Sequence, residues 1–68
     1  LLERHETIEE FLTNIGVEKK LLVNVELIEH NVTEEALRKI EILNEFLKEH
    51  PDVLEKFKLY REAYEEKD

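Results

Sequence analysis

TEEALRKIEILNEFLKEH, residues 33–50, is the clearest helix in the chain and decides its fold class. Thr33 is a good N-cap, because its hydroxyl can accept an orphan backbone N–H of the first turn. Val32 and Leu37 occupy the two positions of a hydrophobic staple. Glu34 and Glu35 sit where the helix dipole favours negative charge. Glu34–Arg38 and Glu35–Lys39 are i,i+4 pairs in the favourable order. Leu37, Ile40, Leu43 and Leu47 form an apolar stripe, with Ala36 on its flank, and Ile42 and Phe46 widen it beyond a single seam. So wide an apolar face predicts more than one neighbour. This helix is therefore expected to organise the others.

Upstream, residues 1–15 read as a first helix. Leu1, His5, Ile8, Leu12 and Ile15 recur at helical spacing, Phe11 widens the face, and Glu3, Glu6, Glu9 and Glu10 line the other side. Gly16, the only glycine, suits the left-handed residue that closes a helix, with Val17 folding back beyond it. Residues 18–30 carry a mixed signal. Leu21, Leu22, Val25 and Ile28 share one helical face, while Val23 and Leu27 fall opposite. Val23 to Leu27 also alternates with period two, a strand signal. No second strand candidate exists for it to pair with, so a helix is expected. Asn31 is a plausible stop, since asparagine tolerates the left-handed cap.

Downstream, His50-Pro51-Asp52 breaks or kinks the chain. Proline disfavours helical geometry in the residue before it and suits the first turn of a new helix. A last helix over 51–66 follows, with Val53, Phe57, Tyr60 and Tyr64 as its stripe and Leu54 and Ala63 beside it. Leu59 points away from that stripe. The connections are short, which favours antiparallel neighbours. The expected fold is all-α, one domain over residues 1–68, a compact bundle of four short helices. The alternative is a three-helix bundle whose long last helix is kinked at Pro51.

Composition narrows the function classes. At 68 residues the chain buries only about 60% of its unfolded surface, so its stability is marginal. With no cysteine it has no disulfide or thiolate metal site to help. Dense packing or association with another chain must compensate. The net charge is -8 and no segment is a basic island. Nucleic acid and anionic membranes both select for basic faces, so neither is an expected partner. No apolar run approaches a membrane span and no signal-peptide pattern is present, so a cytoplasmic location is expected. The chain opens on Leu1 and not Met, as a trimmed piece of a longer protein would. Ser, Gln, Cys, Met and Trp are absent while Glu, Lys, Leu and Ile abound, a bias shared by thermostable and by engineered proteins.

Motifs for chemistry are missing. The Glu26–His30 and His5–Glu9 pairs each share a helix face, but a metal centre needs three or four converging ligands. The Glu-x-x-His motif of carboxylate-bridged bundles does not occur. His5, His30 and His50 therefore read as structural, with no metal, cofactor or small-molecule substrate expected. No serine or cysteine nucleophile and no glycine-rich phosphate loop is present. The chain is not expected to be an enzyme.

Surplus apolar surface is the remaining signal. Val23, Leu27, Ile42, Phe46 and Leu59 do not fit the main stripes, and clustered they would mark a protein–protein site. Their other reading is that the second and third helices are central and buried on both sides. The leading expectation is a non-catalytic interaction module, a homodimer or a small subunit of a larger complex, binding through those five residues. The first alternative is an engineered bundle without natural function. Two further alternatives stand behind it. The helix–Gly16–helix joint has the outline of a helix-turn-helix regulator, with EKKLLVNVELIEH as its recognition helix, although that helix lacks side chains suited to base edges. Leu12, Ile15, Gly16 and Val17, followed by Asn31, Val32, Ala36 and Leu37, loosely resemble the ubiquitin-associated domain over about half of the chain. That resemblance implies a three-helix adaptor, but Val17 stands where the family has its ligand-contacting aromatic, and the third helix is too long.

Overall fold

The computed structural model of the chain describes residues 3–67. These form four helices and no strand: α1 (Arg4–Ile15), α2 (Leu21–Glu29), α3 (Glu34–Glu49) and α4 (Pro51–Glu66). The expectation of an all-α, four-helix bundle holds. Leu1, assigned to the first stripe, lies outside the described residues.

Local signals set the helix ends. Gly16 closes α1 with φ 99°. Its N–H reaches the Thr13 carbonyl at 3.1 Å, and the Val17 N–H reaches Leu12 at 2.9 Å. That is the paired bonding of a Schellman cap, and Val17 folds back onto the core. The Arg61 guanidinium lies directly over Gly16, where a β-carbon would collide with it. Thr33 caps α3 as expected, its Oγ1 accepting from the Ala36 N–H at 3.2 Å. Pro51 takes the first position of α4, and His50 leaves helical geometry with φ -131° and ψ 69°. Two helices thus meet at a true break, which excludes the single kinked helix. His50 seals the joint by stacking on Phe46 at 4.4 Å, with its Nδ1 2.9 Å from the Phe46 carbonyl.

Asn31 stops α2 by a different route. Among the described non-glycine residues only Lys20 has positive φ. Asn31 instead donates from Nδ2 to the Leu27 carbonyl at 2.7 Å, satisfying an acceptor that the ending helix leaves free.

The hub is α1 and not α3. Helix α1 packs against α2, α3 and α4, whereas α2 and α3 make no close backbone approach to each other. The buried apolar core is Ile8, Leu12, Val25 and Leu37, so α1 supplies half of it. Phe11, Ile15, Val17, Leu21, Ile28 and Val32 pack around that cluster. Along α3 the stripe leaves the core. Leu37 is buried and Ile40 and Leu47 are half-buried, but Leu43 is exposed. The wide apolar face was expected to meet several neighbours, and only α1 and the start of α4 are there to meet it. No residue of α4 is buried: Val53 and Leu54 are half-covered, while Phe57, Tyr60 and Tyr64 are exposed.

A polar stitch joins α1 to α3. Asn44, fully buried, donates from Nδ2 to the Thr7 carbonyl at 3.0 Å. Thr7 Oγ1 donates to Glu41 Oε2 at 3.1 Å. Asn44 Oδ1 is buried without a partner among the described residues. The whole body is thin, 35 × 27 × 15 Å, with a radius of gyration of 12.8 Å, against about 11 Å for a globular domain of this length. A flat body with four buried apolar side chains among the described residues has apolar surface left over.

Candidate metal cluster and association surface

Helices α1 and α2 run as a hairpin about the Gly16–Lys20 turn. This geometry carries His5, near the start of α1, to Glu29, at the end of α2. His5 Nδ1 lies 3.3 Å from Glu29 Oε1. Glu26 sits three residues before Glu29, hence on the same face of α2. Ligand atoms of His5, Glu26 and Glu29 all lie within 4.8 Å of one another. His30 Nε2 stands 3.6 Å from Glu26 Oε2, so a second imidazole borders the cluster.

These donors fit a divalent cation. Metal–ligand bonds of about 2.1 Å hold ligand atoms roughly 3–4 Å apart, so small side-chain movements suffice for closure. Mixed imidazole and carboxylate donors suit divalent ions such as Mn, Fe and Zn. Two carboxylates facing one imidazole leave net negative charge, which a cation would balance. Glu29 and His5 are partly covered while Glu26 is exposed, so an entry path exists.

Sequence reading expects His5 to pair with Glu9 and assigns no metal ligands. The fold sends His5 to Glu29 instead, across 24 residues. The signal that could have found this is the symmetry of a hairpin: positions 5 and 29 are equidistant from residue 17. Glu26-x-x-Glu29-His30 at the end of α2 supplies the partners.

The five candidate interface residues are all exposed: Val23 54%, Leu27 60%, Ile42 60%, Phe46 44% and Leu59 60%. The reading in which α2 and α3 are buried on both sides is therefore corrected. Val23 and Leu27 lie one turn apart on α2, beside Leu22, which is also exposed. Ile42 and Phe46 lie one turn apart on α3, which does not approach α2. Phe46 lines an apolar cleft of about 240 Å³ with Ile15, Leu43, Leu47, Val53 and Phe57. Leu59 lies on α4, where Phe57, Tyr60 and Tyr64 are exposed as well. Of nine residues in α2 only Val25 is buried, although six of the nine are apolar.

No described helix is long and apolar enough to cross a membrane.

Comparison with known proteins gives this geometry a lineage. The chain is similar to the HTH-type transcriptional regulator MntR of Lysinibacillus sphaericus (strain C3-41), with 39% identity over 57 residues, covering 82% of this chain and 41% of that protein. It is similar to the HTH-type transcriptional regulator MntR of Listeria welshimeri serovar 6b, with 41% identity over 59 residues, covering 85% of this chain and 42% of that protein. The chain thus spans about two fifths of the length of these relatives. No solved structure matches it significantly. The relatives are transcriptional regulators, so the expectation of no nucleic-acid partner gains no support from them. A natural lineage also takes the place of the engineered-bundle and ubiquitin-adaptor alternatives. Residues 1–58 match the family described as "Iron dependent repressor, metal binding and dimerisation domain", and the chain belongs to that non-enzymatic family of dimerisation domains.

Proposed function

We propose that this chain is the metal-sensing, self-associating part of a transcriptional regulator. His5, Glu26 and Glu29 hold a divalent cation, with His30 in reach as a further ligand. The observation that carries this reading is the convergence of donors from two helices, His5 from α1 and the two glutamates from α2, within 4.8 Å. When bound, the cation supplies charge balance and a cross-link between the start of α1 and the end of α2. The residues do the rest: their carboxylate and imidazole donors select an oxygen- and nitrogen-preferring ion.

Self-association is assigned first to the outward face of α2. Leu22, Val23 and Leu27 are exposed there on the most apolar of the four helices, and a short apolar helix covered on one side only is unstable in water without a partner. Ile42, Phe46 and Leu59 extend the reading to a second strip on α3 and α4. Because α2 carries both the glutamates and Val23 and Leu27, an ion that fixes α2 against α1 also fixes the face that meets the second copy. A net charge of -8 makes the chain a poor counter-ion for phosphates, so DNA contact is not assigned to it. A cytoplasmic location goes with this reading.

The test is calorimetric titration of Mn²⁺ into the wild-type chain, Glu29→Gln and Leu27→Asp. The expected result is saturable binding to the wild type, loss of most of that affinity in Glu29→Gln, and dissociation to monomer in Leu27→Asp on light scattering. Equal binding by Glu29→Gln would remove the cluster as the site.

A further inference from the structure

His5 is placed where a helix is weakest. It is the second residue of α1, and Glu3 at the N-cap offers no side-chain hydrogen bond to the first turn. Uncapped first turns fray, because their N–H groups have no intrahelical partner. A ligand on a fraying turn must be ordered before it can bind, which weakens binding. Something else has to hold this turn.

Arg4 is in the right place. Its Nη2 donates to the Val32 carbonyl, and its Nη1 donates to Glu34 Oε1 at 3.3 Å. Val32 belongs to the loop directly after His30, and its own N–H is bonded to Ile28 at 2.9 Å. Its side chain packs on the core. The guanidinium thus ties the first turn of α1 to a loop that is itself anchored to the end of α2. Neighbouring residues on a helix point about 100° apart. Arg4 can therefore grip the loop while His5 faces Glu29. The Glu34 contact is the lesser one, since that carboxylate is 86% exposed and exposed pairs contribute little.

We propose that Arg4 is a positioning residue for cation binding: it preorganises His5 against Glu26 and Glu29 without touching the ion. This rests on the cluster being the metal site. Groups that orient ligands typically change metal affinity by 10–100-fold when removed. Charge alone predicts the opposite sign. Arg4 is a cation close to the site, so neutralising it would by Coulomb's law raise the affinity for a second cation. The direction of the change therefore separates positioning from field effects.

The experiment titrates Co²⁺ into the 68-residue chain and follows its visible absorption. It compares wild type with His5→Ala, Arg4→Gln, Arg4→Lys and Glu34→Gln, with helix content of each metal-free variant checked by circular dichroism. Arg4→Gln is expected to bind about tenfold more weakly than wild type. Arg4→Lys keeps the charge but loses the two-pronged grip, and is expected to fall between the two. Glu34→Gln is expected to stay within about twofold of wild type. Unchanged or tighter binding by Arg4→Gln, with His5→Ala still impaired, overturns the role of Arg4 and leaves the site standing. No binding by wild type, or full binding by His5→Ala, overturns the site and the role together. Should Arg4→Gln lose helix content, Arg4→Lys decides alone, with wild-type affinity counting against the proposal.

Discussion

Replacing Asn44 with leucine should stabilise the protein, although it removes a hydrogen bond. Asn44 is fully buried between α1 and α3 and makes one bond, Nδ2 to the Thr7 carbonyl at 3.0 Å. Losing that bond costs about 1 kcal/mol. Against it stands Oδ1, buried without a partner, and an unsatisfied buried acceptor costs about 1–3 kcal/mol. Leucine has nearly the same branched shape, so strain from the swap should stay below about 1.5 kcal/mol. Burying its apolar surface contributes up to about 1.5–3 kcal/mol. The Thr7 carbonyl keeps a second lone pair for its own helix. The net expectation is a gain of about 1–2 kcal/mol, with each kcal/mol raising Tm by about 4–8 °C in a domain of this size. Thermal unfolding followed by circular dichroism measures it, at fixed protomer concentration because association shifts Tm by mass action. Asn44→Ala is the control and should lose stability by leaving a void. A loss exceeding about 1 kcal/mol in Asn44→Leu would refute the reasoning. It would mean that Oδ1 is satisfied by water and that the Thr7–Asn44 stitch is net stabilising.

Two further outcomes follow from the same geometry. Thr33→Ala removes the cap on Ala36 N–H and should cost about 1 kcal/mol in urea unfolding, with no change in cation affinity because α3 carries no cluster ligand. Adding Mn²⁺ at about 100 times its dissociation constant should raise unfolding stability by about 2.7 kcal/mol, and a chelator should return it to the metal-free value; absence of any shift would count against binding to the folded state.

Much of the fold was legible because its signals are local. Gly16, Thr33 and Pro51 each act within a few residues through φ, a hydroxyl acceptor or a missing N–H, and all three mark helix ends in the structure. The strand-like alternation of Val23 to Leu27 was outweighed by the lack of any strand to pair with. The choice of hub was not legible. Residues 33–50 have the stronger amphipathic pattern, but pattern strength reports how apolar a face is and not how many partners reach it. Helix α1 meets three helices and buries Ile8 and Leu12, while Ile42 and Phe46 of α3 are exposed. The candidate metal cluster was hidden for a related reason. Searching for ligands at helical spacing finds Glu26 with His30 but not His5 with Glu29, which depends on how two helices pack. Val23, Leu27, Ile42, Phe46 and Leu59 were legible as a surplus, since they did not fit the main stripes, whereas the exposure of Leu22, Leu43, Phe57, Tyr60 and Tyr64, all on stripes, was not.

The proposed cation site lies between the start of α1 and the end of α2. Paramagnetic Mn²⁺ added in small amounts to the ¹⁵N-labelled chain tests it most directly, since line broadening in the amide spectrum falls off steeply with distance from the ion. Amides of residues 4–6 and 26–31 should disappear first, while those of residues 55–66 on α4 persist. Broadening centred on the acidic end of α4, or spread evenly over the glutamates, would contradict it.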